Sequence, residues 1–111
     1  MKKDLSIIIP ARDEEASLKK LLKKFKKYKK LYKEIIIIDG KSKDKTIDVA
    51  KKNKCKVIKQ NKLGYGDALI LGINEVNTKY FCIFNADGSF DPKEIKSMHE
   101  NLVSNKLDFI F

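Results

Sequence analysis

The chain has 111 residues, of which 42% are hydrophobic and 36% are charged, and its formal net charge is +10. This composition indicates a globular protein with one small domain. The apolar runs are too short to span a bilayer or to form a signal-peptide core, so we expect a cytoplasmic protein without a transmembrane segment. Because Arg12 is the only arginine, and arginine is the usual residue for reading bases, we expect no nucleic-acid partner.

Short apolar runs alternate with amphipathic stretches along the chain. The predicted strands are residues 5–9, 34–39, 56–58, 80–84 and 107–111, and the predicted helices are residues 14–32, 44–53, 67–76 and 92–104. This β-α-β-α-β-α-β-α-β order is typical of a largely parallel sheet that is covered by helices on both faces. We therefore predict a three-layer α/β/α domain. Cys55 and Cys82 both lie in strand-like runs, which favours buried free thiols and leaves a disulfide between them open.

Three of the predicted helices begin with capping signals. Asp13 is the expected N-cap of the first helix, and Ser42 or Asp44 is the expected N-cap of the second. The last helix begins with Asp91 as the N-cap and Pro92 in the first helical position. Each helix therefore starts shortly after a strand, with a polar loop between the two.

Acidic and polar side chains follow the predicted strands at residues 12–15, Asp39, residues 64–67 and residues 85–87. The carboxyl ends of parallel strands meet at one edge of a sheet, where ligands bind in open α/β folds. Acidic groups beside a phosphate imply an intervening cation, so this pattern predicts a nucleotide site with a metal ion. A plain capped turn is the alternative for residues 85–89. The chain has neither a Gly-x-Gly-x-x-Gly motif after its first strand nor a phosphate-binding P-loop motif.

Four segments resemble, in the same order, the motifs of family 2 glycosyltransferases with the GT-A fold. Residues 5–15 resemble the opening strand with its Pro-x-x-Asn-Glu-Glu loop, and residues 38–46 resemble the Asp-Asp/Gly-x-Ser-x-Asp-x-Thr element. Residues 62–68 resemble the Lys-x-Gly-x-Gly-x-Ala loop, and residues 85–92 resemble the metal-binding Asp-Ala-Asp-Gly-x-x-x-Pro element. The likeness is greatest to the dolichol-phosphate mannose synthase and polyprenyl-phosphate glycosyltransferase branch.

This resemblance implies that residues 1–111 form the Rossmann-like half of a GT-A fold, which binds a UDP- or GDP-linked sugar with Mg²⁺ or Mn²⁺. The residues expected to bind the nucleotide sugar are Pro10, Ala11, Arg12, Glu14, Asp39, Lys62, Gly64, Asn85, Ala86 and Asp87. The expected metal ligands are Asp87, Asn85 and Ser89. The implied activity is metal-assisted sugar transfer to an acceptor such as polyprenyl or dolichyl phosphate, and contact with the cytoplasmic face of a membrane or a homodimer is compatible with it.

The chain departs from the family pattern at several positions. Asn85 stands in place of the first aspartate of the metal motif, which should lower the affinity for metal, and Ser89 stands where the mannose synthases have glutamine. The chain also stops inside an apolar run, so we expect a domain that is truncated before its acceptor half, with the catalytic base beyond Phe111.

Three alternatives stay open at this point. The first is a domain of the same fold that binds nucleotide sugar without turnover, and it agrees with Asn85. The second is a receiver-like or flavodoxin-like domain, and the absence of an aspartate at the end of the third strand argues against a receiver. The third is a basic nucleic-acid-binding protein, which would need clustered arginines and exposed aromatic residues.

Overall fold

The computed structural model describes residues 4–87, 91–97 and 109–110. Among them are strands β1 (Leu5–Ala11), β2 (Glu34–Asp39), β3 (Lys56–Lys59), β4 (Tyr80–Ile83) and β5 (Phe109–Ile110). They form one sheet in the order β3-β2-β1-β4-β5, and every neighbouring pair is parallel. Three α-helices lie wholly within these residues, namely α1 (Glu15–Phe25), α2 (Thr46–Lys52) and α3 (Tyr65–Glu75). There are 3₁₀ turns at Lys26–Tyr28 and Pro92–Glu94, and residues 95–97, directly after the second turn, are also helical.

Isoleucine runs form the two central strands and face both sides of the sheet. Ile7 and Ile9 of β1 belong to the hydrophobic cluster that contains the buried residues of α1 and α2. Ile8, between them, belongs to a second cluster with Ile36 of β2 and Ala68 of α3. Since successive side chains of a strand point to opposite faces, helices cover both faces of the sheet. The prediction of a three-layer α/β/α domain is confirmed.

Helix α1 covers one face of the sheet with an apolar stripe. Its buried residues are Leu18, Leu21, Leu22 and Phe25. The ring of Phe25 meets that of Phe84 edge to face, with the ring centroids 5.0 Å apart, which anchors the carboxyl end of the helix beyond β4.

The predicted extension of this first helix to residue 32 is wrong. The α-helix ends at Phe25 and continues as the 3₁₀ turn. The hydroxyl of Tyr32 donates a hydrogen bond to the Phe25 carbonyl oxygen at 3.1 Å, and the backbone N–H of Lys33 donates to the Leu5 carbonyl at 2.7 Å. The chain therefore turns early to reach the start of β2.

Helix α3 lies directly against the opposite face of the sheet at Gly72. A Cβ atom built on Gly72 would lie 2.6 Å from Cγ2 of Ile8, so only glycine allows this approach. Residues 65–68, which form the first turn of α3, therefore lie at the carboxyl edge of the sheet, beside the loops that follow β1, β2 and β4. In the described part of the chain no helix has both the length and the apolar character needed to cross a membrane.

Candidate functional site

A cleft of about 350 Å³ lies at the carboxyl edge of the sheet. Residues from the ends of four strands and from the start of α3 meet there. The lining residues are Pro10, Ala11, Arg12, Glu14, Gly40, Gln60, Leu63, Gly64, Tyr65, Ala68, Asn85, Ala86 and Asp87. All the residues predicted to bind the nucleotide sugar are in this set except Asp39 and Lys62. Parallel pairing brings the four loops together, so residues that are far apart in the sequence share one cleft.

Asp39 lies beneath the cleft. The residue is 1% exposed, and its Oδ2 atom accepts a hydrogen bond from the Ser42 backbone N–H at 3.1 Å. Its Oδ1 atom is buried and has no hydrogen-bond partner among the described residues. The sheet neighbour Ala11 and the next residue, Gly40, both line the cleft. Because a buried polar atom without a partner is costly, a ligand that donates a hydrogen bond to this oxygen would remove that cost.

The loop after β1 is bound to the loop after β2 through Asp13. Oδ1 of Asp13 accepts hydrogen bonds from the backbone N–H groups of Lys43 at 2.6 Å and Asp44 at 3.3 Å, and its own N–H donates to Oγ of Ser42 at 2.9 Å. Asp13 has a φ of 51°, a backbone conformation that aspartate tolerates better than most residues. The prediction that Asp13 caps α1 is wrong, because Glu14 is the N-cap residue and Asp13 binds the other loop instead.

The same two loops also exchange hydrogen bonds at the start of α1. The N–H of Glu14 donates to Oγ1 of Thr46 at 3.0 Å, and the N–H of Glu15 donates to Oδ2 of Asp44 at 3.2 Å. In return, Oε1 of Glu15 accepts from the N–H of Lys45 at 3.1 Å. Hydrogen bonding to Thr46 is the main cause of the lowered pKa of Asp44. We refer to the hydrogen bonds between residues 13–15 and residues 42–46 as the loop clamp.

Gln60 organises the third loop, although it is not among the residues predicted from the sequence. The residue is 6% exposed, and its Nε2 atom lies within hydrogen-bond distance of the carbonyl oxygens of Lys62 at 3.0 Å and Gly64 at 3.1 Å and of Oδ2 of Asp67 at 3.3 Å. Lys62 is exposed and contributes only its carbonyl to this arrangement. Gly64 has a φ of 131°, which favours glycine. The signal for Gln60 was its position directly after a strand, where the other site residues also lie.

The segment after β4 brings two oxygen-bearing side chains to the cleft, Asn85 and the exposed Asp87. Oδ1 of Asn85 accepts a hydrogen bond from the Tyr65 hydroxyl at 3.5 Å. Ser89, the third predicted metal ligand, lies outside the described residues. Just beyond it, the Asp91 side chain accepts a hydrogen bond from the N–H of Lys93 at 3.0 Å, as predicted for the N-cap.

The donor atoms at this end of the cleft suit a hard cation. No cluster of three or more His, Cys, Asp or Glu side chains that could hold a metal occurs within residues 4–87, 91–97 and 109–110. The Asp87 carboxylate and the Asn85 amide oxygen are the type of ligand that Mg²⁺ and Mn²⁺ prefer. With so few protein ligands, a cation here would need oxygens from a bound ligand such as a diphosphate.

The other lining residues that were not predicted from the sequence are mostly small or apolar. They are Gly40, Leu63, Tyr65 and Ala68. Leu63 and Tyr65 are exposed by 46% and 55%, which is unusual for large hydrophobic residues. Leu63 and Tyr65 could have been predicted from the sequence, because they lie within the Lys-x-Gly-x-Gly-x-Ala motif that was already expected to belong to the site.

Comparison with known sequences identifies the family of this chain. The sequence model of glycosyl transferase family 2 matches residues 6–111. An uncharacterized protein of Methanocaldococcus jannaschii is 34% identical over 102 residues, which cover 87% of this chain and 41% of that protein. The dolichyl N-acetyl-alpha-D-glucosaminyl phosphate 3-beta-D-2,3-diacetamido-2,3-dideoxy-beta-D-glucuronosyltransferase of Methanococcus voltae is 37% identical over 91 residues, which cover 74% of this chain and 28% of that enzyme.

Solved structures share the fold. Glucosyl-3-phosphoglycerate synthase of Mycobacterium tuberculosis, in complex with Mn²⁺, UDP and glucosyl-3-phosphoglycerate, superposes with a TM-score of 0.81 at 20% identity, over 92% of this chain and 40% of that one. The complex of the same enzyme with Mn²⁺, UDP-glucose and phosphoglyceric acid gives a TM-score of 0.82 at 19% identity, over 94% of this chain and 41% of that one. This chain thus spans less than half the length of these relatives. With the family's sequence model matched over nearly its full length and the same α/β fold around the cleft, the chain belongs to glycosyl transferase family 2.

Proposed function

We propose that residues 1–111 are the donor-binding part of a glycosyltransferase, which transfers a sugar from a UDP- or GDP-linked donor to an acceptor. The observation that carries the proposal is the cleft itself, which joins residues from four strand ends above a buried carboxylate with an unpaired oxygen. Membership of glycosyl transferase family 2 supports the same reaction class.

Each part of the cleft has a role in donor binding. Pro10, Ala11, Arg12 and Glu14 border the base and ribose, because they line the end of the cleft next to β2. Asp39 accepts a hydrogen bond from an N–H of the base through its unpaired oxygen. The loop clamp holds the backbone of residues 13–15 and therefore fixes the side chains of Arg12 and Glu14 at the cleft.

Asp87 would be the principal protein ligand of Mg²⁺ or Mn²⁺, with Asn85 and Ser89 as neutral ligands. Such a cation would stabilise the negative charge of a departing nucleoside diphosphate. The structures of the mycobacterial enzyme in complex with UDP and either Mn²⁺ or Mg²⁺ support the use of a divalent cation. The substitution of a neutral amide at position 85 leaves one protein carboxylate, which suits a metal that arrives with the diphosphate.

For the acceptor we propose a polyprenyl or dolichyl phosphate at the cytoplasmic face of a membrane. Two observations support it. The motifs of this chain resemble those of the dolichol-phosphate mannose synthase branch, and the name of the Methanococcus voltae relative describes a dolichyl-linked substrate. No described residue is assigned to acceptor activation.

A thermal-shift panel of UDP, GDP, UDP-glucose and GDP-mannose, each with and without Mn²⁺, tests donor binding. A ligand at about 100 times its dissociation constant should stabilise the folded chain by about 2.7 kcal/mol. If none of these nucleotides raises the melting temperature, the proposed function is wrong.

A binding domain without turnover is the second candidate, and Asn85 is the observation that favours it. Release of nucleoside diphosphate from the matching nucleotide sugar separates the two. A chain that releases diphosphate is an enzyme, and a chain that releases none and also binds the donor equally tightly with and without Mn²⁺ is a binding domain.

A further inference from the structure

The side-chain amide of Gln60 has a defined orientation in the cleft wall. Its Nε2 atom faces three acceptors, the carbonyls of Lys62 and Gly64 and the carboxylate of Asp67. If the amide were flipped, its oxygen would face three other oxygens, which is unfavourable. The Oε1 atom therefore points away from the loop.

Oε1 of Gln60 faces the floor of the cleft at Gly40. A Cβ atom built on Gly40 would lie 3.1 Å from Oε1 and 3.4 Å from Cβ of Arg12, so a side chain at position 40 would fill the space between these two residues. No described residue donates a hydrogen bond to Oε1. Gly40 and Gln60 both line the cleft, so this oxygen is available to a ligand.

A second unpaired acceptor lies at the neighbouring strand end. Asp39 ends β2 and pairs with Lys59 at the end of β3, and the N–H of Gln60 donates to the Asp39 carbonyl at 2.9 Å. Oδ1 of Asp39 lacks a partner among the described residues, as Oε1 of Gln60 does. This corner therefore holds two acceptors without partners, Oε1 of Gln60 in the cleft wall and Oδ1 of Asp39 buried beneath it, and these two side chains offer no free donor.

We propose that Gln60 is a specificity-determining residue that, together with Asp39, selects guanine as the base of the sugar donor. This inference rests on the proposed function and names its nucleotide. The edge of guanine carries two adjacent donors, the ring N–H and the exocyclic amine, which match two acceptors. The edge of uracil carries one N–H between two carbonyl oxygens, and one of those carbonyls would face an acceptor. Leaving a buried acceptor unpaired is the kind of mismatch that gives strong discrimination.

Titration calorimetry with GDP, inosine diphosphate and UDP in the presence of Mg²⁺ tests the proposal on the parent chain. We expect GDP to bind at least about tenfold more tightly than UDP, which corresponds to about 1.4 kcal/mol. Inosine diphosphate lacks the exocyclic amine and should fall between them. The mycobacterial enzyme was solved with UDP, so its nucleotide would differ from the one proposed here. At 20% identity the likeness to that enzyme shows the shared fold alone.

Two variants separate base recognition from support of the loop. Gln60→Ala removes the acceptor and should bring the GDP and UDP affinities to within about threefold of each other, because the mismatch with uracil disappears. Asp67→Ala removes one contact of Nε2 and leaves Oε1 in place, so it should weaken all three nucleotides by a similar factor. If Gln60→Ala does not fold, the affinities of the parent chain for GDP, inosine diphosphate and UDP still test the guanine assignment.

The outcomes of this experiment are distinct. A parent chain that binds UDP as tightly as GDP, or a Gln60→Ala variant that weakens both by the same factor, overturns the guanine assignment and leaves the proposed function standing. A parent chain that binds none of the three nucleotides overturns the proposed function and this assignment with it.

Discussion

The carboxylate of Asp39 is buried with one oxygen bonded to the backbone and the other unpaired, so it contributes less to folding than a fully satisfied group would. Asp39→Asn keeps the shape of the side chain and turns one oxygen into a donor. We expect this variant to be at least as resistant to urea as the parent and to bind nucleoside diphosphate about tenfold more weakly, because a donor then faces the donor of the base. Calorimetry and urea denaturation on both proteins measure the two effects.

A loss of stability with unchanged affinity would mean that Asp39 only supports the turn. Ser42→Ala is the comparison variant, because it removes the clamp hydroxyl that accepts from Asp13 and keeps the backbone N–H that binds Asp39, so any loss of affinity that it shows comes from the loop clamp and not from Asp39.

The proposed metal site at Asp87 and Asn85 predicts that metal binding and nucleotide binding are coupled. If Asp87 holds a cation that also binds the diphosphate, the metal tightens the nucleotide and the nucleotide tightens the metal by the same factor. Asp87→Asn should remove most of this coupling, and Asn85→Asp should increase it by adding a carboxylate. Titration of nucleoside diphosphate with and without Mn²⁺ on the three proteins measures the coupling. Equal affinities throughout would show that residues 85–87 form a capped turn without a metal.

At the level of the elements, the loop clamp predicts a difference between two substitutions of Asp13. Asparagine retains an acceptor oxygen and tolerates the φ of 51°, so Asp13→Asn should change the free energy of unfolding by less than about 0.5 kcal/mol. Glycine tolerates the same φ and has no acceptor, so Asp13→Gly should cost about 1–2 kcal/mol. Urea denaturation checks both values, and equal stabilities would mean that the backbone conformation alone matters at this position.

Helix α3 allows a matched test of its packing on the sheet. Gly72→Ala places a methyl group 2.6 Å from the buried Ile8 side chain and should destabilise the fold by about 1–3 kcal/mol. Gly66→Ala lies in the same helix with nothing within 4 Å of the added methyl, so it should stabilise by up to about 1 kcal/mol through helix propensity. Thermal unfolding of both variants gives the comparison. A stabilising Gly72→Ala would contradict the close approach of α3 to β1.

The elements also show what the sequence could predict. The strands and their parallel arrangement followed from apolar runs such as Ile35–Ile38, because the hydrophobic period of a buried strand is a local property. The end of α1 and the role of Asp13 could not be predicted in this way, since each depends on a contact with a distant part of the chain, Lys33 with the Leu5 carbonyl in one case and Asp13 with the second loop in the other. The role of Gln60 was missed for a different reason, because its burial and orientation depend on the folded path of residues 62–67, which the sequence pattern does not reveal.

On the scale of the whole molecule, the excess positive charge is concentrated on one side of α1 and the turn after it. The exposed lysines of this surface are Lys19, Lys20, Lys23, Lys24, Lys26, Lys27, Lys29, Lys30 and Lys33. None of them forms an ion pair with a described residue. The apolar residues of α1 are buried against the sheet, and Tyr28, Leu31 and Tyr32 in the turn are only partly exposed, so this surface offers little hydrophobic area to insert into lipid.

We therefore expect the chain to co-sediment with anionic vesicles at low salt and to remain in the supernatant at physiological salt. Attraction to a charged surface without insertion is screened over about 8 Å at that ionic strength. Vesicles of neutral lipid are the control. Strong sedimentation at physiological salt would show that the chain has a peripheral membrane surface.

The loop clamp also limits how the site can change during evolution or engineering. The backbone N–H groups of one loop are satisfied by side chains of the other, in both directions. A replacement of residues 12–15 by the corresponding loop of a relative therefore leaves the partners in residues 42–46 without their hydrogen bonds, even when the new loop carries the desired contacts to the donor. Chimaeras that exchange both segments together should fold where single-loop exchanges fail, because the two loops are separated in the sequence by α1 and β2 but depend on each other for their hydrogen bonds.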